Sequence, residues 1–355
     1  MLFSKLNRGE IMNITEKNLP SNWKEFTLTN DNGMSISLVN YGGIITRIMV
    51  PDRHGHAENV VLGYKNPNDY KTDSNFFGAI IGRVAGRIKD SSFELNGKVY
   101  HLESNEGSHH IHGGSHGFHQ VLWKTETHQE TGHVAVKLTH STKDGDGGYP
   151  GNISASVTYR LTNENELILD YTAVTDQPTP LTLTNHSYFN LSGEAKETVH
   201  QHDVTIDSHR YLELDDDLIP TGSILEAANT PFDFRHGRRL HEGITSRNEQ
   251  TTCAGNGYDH YFLFGHTRPE SVVVKEATSG RVLVIESDQP GMVMYTSNNL
   301  INGLELTGAP SRKYAGVCFE TQSSPASLHH PGLPEVILHP TERYQQRTVY
   351  RFTTE

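Results

Sequence analysis

Cysteine is nearly absent from this chain: Cys253 and Cys318 are the only two among 355 residues. That excludes a disulfide framework and a Cys-rich zinc site. Long apolar runs are missing as well. The opening stretch MLFSKLNRGEIMNITEKNLP holds none long enough for a signal peptide or a membrane span, so a reducing, cytoplasmic setting is expected. Positive charge is in short supply: 30 Lys and Arg against 42 Asp and Glu leave a formal net charge of −12. An acidic surface argues against nucleic acid and against anionic membranes, both of which need a basic footprint. Neither a GxxxxGK[ST] loop nor a GxGxxG turn after a strand is present, which removes the two commonest nucleotide signatures.

Helical periodicity is scarce too, and period-two alternation takes its place. Phe26–Thr29 and Ser35–Val39 flank Asn32-Gly33, and Phe93–Leu95 and Lys98–Leu102 flank Asn96-Gly97, both hairpin signals. Gly43–Val50, Val121–Thr127, Val134–Thr139, Ile153–Leu161, Leu167–Val174, Tyr258–Phe264, Val282–Ser287, Met292–Thr296, Gly316–Thr321 and Tyr344–Phe352 read as further strands. Roughly twenty strands exceed one small sandwich and predict large antiparallel sheets packed face to face, with few short helices. No linker or fixed repeat divides the chain, so one domain over residues 1–355 is expected, with residues 1–20 as a loosely attached extension.

The stretch Leu181–Leu191, LTLTNHSYFNL, is read as one central strand. Leu181, Leu183, Phe189 and Leu191 share one face, whereas Thr182, Thr184, His186, Tyr188 and Asn190 share the other. Two readings fit the polar face: a solvated surface, or the floor of a site for a polar ligand with His186 moving a proton. In GAIIGRVAGRI (78–88), Arg83 and Arg87 are either ordinary structural residues or guanidinium forks for paired oxygen acceptors. SHHIHGGSHGFHQ (108–120) carries five histidines, and HxH spacing at His110 and His112 raises a metal site. No HExxH or complete carboxylate set accompanies it beyond Glu103 and Glu106. His112 before Gly113-Gly114 reads better as an imidazole at a strand end where glycines admit a ligand. DGDGGYPG (144–151) lacks the third acid and terminal Glu of a calcium loop and reads as a turn. Asp259, in GNGYDHYFLF, is a turn former or a cleft residue. In GVCFETQSS, Glu320 sits in an apolar strand, where desolvation raises its pKa as a general base near neutrality requires.

Taken in order, PDRHGHAENVVLGY, GRVAGRI, HIHGGSHGFHQVLW, DGDGGYPGN, TNHSYFNL, IPTG, PFDF, GYDHYF and CFETQ resemble the aldose 1-epimerase (galactose mutarotase) family over nearly the whole chain. The resemblance implies a large antiparallel β-sandwich with an open sugar cleft and no metal or cofactor. It implies an isomerase that exchanges the α and β anomers of a free aldose such as galactose or glucose. His186 matches the family's general acid and Glu320 its general base. Arg87, His112 and Asp259 match residues that hold the sugar, and Tyr188 lies on the same face as the acid. The negative Glu is expected to raise the His186 pKa. Two departures stand out: Gly86 where many members carry Asn, and no amide in Pro290–Thr296 where many carry Gln. A hexose-phosphate epimerase or a non-catalytic sugar-binding protein on the same fold are the alternatives.

Overall fold

The computed structural model describes residues 12–355. Three large antiparallel sheets account for most of the strands. A nine-stranded sheet runs in the order Lys124–Glu130, His133–Thr142, Ile153–Thr162, Glu166–Thr175, Tyr344–Thr354, Arg281–Ser287, Val272–Lys275, Asp203–Ile206 and Arg238–Arg239. A six-stranded sheet is built from β1 (Tyr188–Phe189), β2 (Ser208–Leu214), β3 (Pro220–Glu226), β4 (Asp259–Phe264), β5 (Gly291–Tyr295) and β6 (Val317–Thr321), in the order β1-β6-β5-β4-β2-β3. A five-stranded sheet spans Asn13–Asn18 to Ala57–Asn59. Helices are short, the α-helical ones being Leu240–Ile244 and Glu249–Cys253.

One face of the six-stranded sheet is apolar and the other is not. Phe189, Val317, Phe319, Met292, Met294 and Phe262 point inward and share a core with Val157, Tyr171, Leu283 and Tyr350 of the nine-stranded sheet. The ring of Phe189 lies 5.4 Å from that of Tyr350. Each such buried side chain contributes about 1.5–3 kcal/mol, which fixes the register because a one-residue slip would turn the whole set outward. The alternate residues Tyr188, Cys318, Glu320, Val293, Tyr295, Asp259 and Tyr261 therefore face the other way.

Two expectations need correcting. Leu181–Leu191 is not one strand. Thr184–Asn185 pairs with Ile80–Ile81, whereas Tyr188–Phe189 pairs with Val317–Cys318 in a different sheet. The alternation survives because the segment stays extended across the gap. Nor are residues 13–18 loosely attached: Asn13–Asn18 pairs along its full length with Lys24–Thr29 as a sheet edge. Residues 1–11 lie outside the described residues. Arg83 is structural. Its guanidinium is buried and donates to the Pro150 and Lys143 carbonyls and to Thr142, away from any cleft.

Candidate active site

The outward residues of β1, β6, β5 and β4 form one wall of a cavity of about 320 Å³. Segments carrying Phe76, Gly86-Arg87, Glu106, Ile111-His112, Leu214, Leu218, Pro220 and Ser324-Pro325 complete it. All six residues singled out above line it: Arg87, His112, His186, Tyr188, Asp259 and Glu320.

His186 is fixed through its backbone. Its N–H donates to the Ala79 carbonyl at 2.9 Å, and its own carbonyl accepts from Gly78 N–H at 3.0 Å. The ring then sits with Nε2 3.5 Å from Glu320 Oε1, both side chains almost fully buried. On its other nitrogen, Nδ1 lies 3.6 Å from the thiol of Cys318. Glu320 projects from β6 beside Val293 of β5, its direct cross-strand partner.

Arg87 lines the same cavity. Its strand, Arg87–Ile88, pairs with His110–Ile111, which brings His112 alongside. The guanidinium is held from two sides: Nε and Nη2 donate to Glu106 at 2.6 and 3.1 Å, and Nη1 donates to Asp259 at 3.2 Å. His112 Nδ1 accepts from Gly86 N–H at 3.1 Å. Gly113 makes this turn possible. It has a φ of +86°, and a Cβ there would lie 2.1 Å from the Gly82 carbonyl oxygen. The Tyr188 hydroxyl is committed to the Asn75 carbonyl, to which it donates at 2.9 Å.

Electrostatics depart from the expectation that Glu320 raises the His186 pKa. Burial dominates and pushes the imidazole down to about 3. Burial, followed by the nearby Asp259 charge, pushes Glu320 well above the usual carboxylate range, with Arg87 opposing. Both shifts favour the neutral pair, with a proton on Glu320 and none on His186. Burial also works against the Arg87 charge, but Asp259 and Glu106 overcome it and raise its pKa. Asp259 is itself raised, by burial first. His112 is held neutral by burial and by its cationic and imidazole neighbours.

His112, His186 and Glu320 each offer one metal-ligand atom within 4.8 Å of the others. His112 fits poorly, however. Its Nδ1 lone pair is occupied by Gly86 N–H, which places the proton of the neutral ring on Nε2 and leaves neither nitrogen free to ligate. The HxH pairing also fails. His110 turns the other way, with Nδ1 on the Glu103 carbonyl and Nε2 on the Tyr149 hydroxyl.

Sequence reading missed Glu106 as a cleft residue, although it lies just ahead of the run that carries His112. It missed the apolar wall of Leu214, Leu218, Val293 and Ile301 altogether. Gly86 has little room for a side chain, because a Cβ would sit 3.1 Å from Pro325 Cγ and 3.3 Å from Gln322 Nε2. Val293 lies in the amide-free stretch Pro290–Thr296 and lines the cavity.

A β-sandwich that presents a buried carboxyl–imidazole pair in an open cleft defines the class of all-β proteins with a cleft on one sheet face. Within that class the comparisons are specific: the family model described as aldose 1-epimerase matches residues 24–351. The chain is 38% identical to galactose mutarotase of Homo sapiens over 90% of this chain and 91% of the relative. It is 33% identical to aldose 1-epimerase of Escherichia coli K12, covering 94% and 96%. A crystal structure of galactose 1-epimerase from Lactobacillus acidophilus superposes with a TM-score of 0.86 at 29% identity, over 97% of this chain and 99% of that one. The chain belongs to the aldose 1-epimerase family, and is an isomerase.

Proposed function

We propose that the chain interconverts the α and β anomers of free aldohexoses, galactose and glucose among them, with Glu320 as base and His186 as acid. Glu320 takes the proton from the C1 hydroxyl while His186 gives one to the ring oxygen. The C1–O5 bond breaks as C1=O forms. Rotation about C1–C2 presents the other carbonyl face, and closure returns both protons by the reverse path. Positioned proton transfer of this kind is worth about 10²–10⁴-fold. The working state needs the proton on His186 rather than on Glu320. Both states have the same net charge, so one internal transfer across the 3.5 Å contact suffices. Sugar hydroxyls that donate to the carboxylate favour that transfer.

The observation that carries this reading is the buried Glu320–His186 contact inside the cavity. A binding protein would gain nothing from burying two ionisable groups together, because their desolvation is costly. A hexose-phosphate substrate is disfavoured by charge. Among the described lining residues Arg87 is the one Lys or Arg, and two carboxylates already hold it. Arg87, Asp259 and His112 orient the hydroxyls, Tyr188 supports the wall through its bond to Asn75, and no metal or cofactor takes part. The two cysteines, neither in a disulfide, fit a reducing cytoplasmic setting. Among the described residues no helix is long and apolar enough to cross a membrane.

The test is the optical rotation of freshly dissolved α-galactose and α-glucose, with and without protein, in buffer containing a chelator. Faster decay to the equilibrium rotation is expected with either sugar. A decay no faster than the buffer's would sink the reading, and activity abolished by chelation and restored by a divalent metal would replace it with a metal mechanism.

A further inference from the structure

Phe76 lines the cavity with a backbone that a bulky residue rarely adopts. Its φ is +57°, in the left-handed region. The surrounding turn holds it there. Asp73 accepts from the backbone N–H groups of Asn75 and Phe77, both at 2.8 Å, and from the Tyr64 hydroxyl at 2.9 Å. Ala79 N–H closes on the Phe76 carbonyl at 3.1 Å, and Tyr188 reaches the Asn75 carbonyl. Strain maintained by this many contacts at a cleft points to a purpose for the side chain it aims.

That side chain meets three imidazoles. Ring centroids lie 4.7 Å away at His112, 4.9 Å at His119 and 5.7 Å at His186. His112 and His186 are 5.3 Å apart and perpendicular, so Phe76, His112 and His186 form a triangle of mutually touching rings. The His186 ring has no strong side-chain hydrogen bond to set its rotation, since its neighbours are Glu320 at 3.5 Å and a thiol at 3.6 Å. Flat rings packed against the imidazole supply that constraint: Tyr188, its neighbour on the same face at 5.1 Å, and Phe76, which reaches it at 5.7 Å and ties it to His112.

We propose that Phe76 is a positioning residue for the proposed reaction, its ring locking the rotation of His186 so that Nε2 stays on Glu320 and the ring oxygen. This rests on the anomerase reading above and deepens it. The left-handed backbone is what brings the ring over the histidines; in an ordinary extended conformation it would point elsewhere.

The backbone geometry also supplies the experiment. Glycine prefers the conformation Phe76 is forced into, so Phe76→Gly removes the ring while relieving the turn. Phe76→Tyr keeps the flat ring. With galactose as substrate, Phe76→Gly is expected to lower kcat about ten- to hundredfold, the scale of a misplaced catalytic group, while KM changes by less than about threefold. Phe76→Tyr is expected to stay within about threefold of wild type in both. Urea unfolding checks that the variants fold. If Phe76→Gly does not, Phe76→Leu, apolar but without a flat ring, is read in its place. A ring-free variant with wild-type kcat overturns the proposal, as does one whose loss lies in KM alone, which would make Phe76 a stacking platform for the sugar. A Phe76→Tyr variant as slow as the ring-free one overturns it too. Wild-type protein that leaves mutarotation unchanged defeats the functional reading itself, and so is told apart from these outcomes.

Discussion

A carboxyl and an imidazole 3.5 Å apart, both nearly sealed from water, do not keep their solution charges. Burial penalises His186 cation and Glu320 anion alike, which favours the neutral pair with its proton on Glu320. Glu320→Gln is close in shape to that resting, protonated acid. The variant should therefore fold and bind sugar as wild type does, yet lose about 10²–10⁴-fold in kcat because an amide takes no proton. His186→Asn should lose a similar factor. The two groups act on one sugar in one step, so the double variant should be little slower than the slower single variant, as for residues that work as a unit. Polarimetric rates of the three variants decide this. Losses that multiply would mean independent roles, and a Glu320→Gln protein that keeps most of its rate would shift the base to another carboxylate such as Asp259.

At the scale of elements, what the sequence makes legible is whatever repeats. Alternation in β4, β5 and β6 identifies the strands, and Glu320 stands out as a carboxylate on the face opposite Phe319. The break inside Leu181–Leu191 leaves no mark, because an extended chain alternates whether its partners belong to one sheet or two. Asn13–Asn18 is invisible for the opposite reason: as a mostly exposed edge strand it needs no apolar face. Phe76, and the cleft role of Glu106, escape notice because their importance comes from segments meeting in space, which no local pattern records. The glycines of the HGG turn are legible in kind, and the structure says how much each matters. Gly113→Ala forces a Cβ to 2.1 Å from the Gly82 carbonyl at a φ of +86°. It should cost about 2–4 kcal/mol in stability by urea unfolding, strain and overpacking combined. Gly97 is also left-handed, at +77°, but has nothing within 4 Å. Gly97→Ala should cost only about 1–2 kcal/mol, and equal losses at the two sites would refute the close-approach argument.

For the molecule as a whole, 22 histidines make stability a function of mild acid. Burial holds His119 and His202 down to about 4 and His260 to about 3. His186 titrates as a pair with Glu320 rather than alone. Between the unfolded value of about 6.5 and these native values, the unfolded chain binds protons that the native fold refuses. Stability is thus fully present above about pH 6.5 and falls as the pH drops below it. Each of the three contributes a loss of about 1.4 kcal/mol by about pH 5.5, or about 4 kcal/mol together. Asp73 and Asp259 work the other way. Burial raises both, so their native state takes up protons ahead of the unfolded chain and offsets part of the histidine loss. Urea unfolding near pH 7.5 and near pH 5.5 measures the difference. His202 offers the cleanest separate probe: its Nε2 accepts from Leu191 N–H at 2.8 Å, far from the cleft, while its Nδ1 has no hydrogen-bond partner among the described residues. His202→Gln removes one titrating group, so whatever it costs at neutral pH, its acid loss should be smaller than wild type's by about 1.4 kcal/mol. A wild-type protein as stable near pH 5.5 as near pH 7.5 would mean that the buried imidazoles are hydrated in solution, and the same slope in His202→Gln would remove that residue from the set.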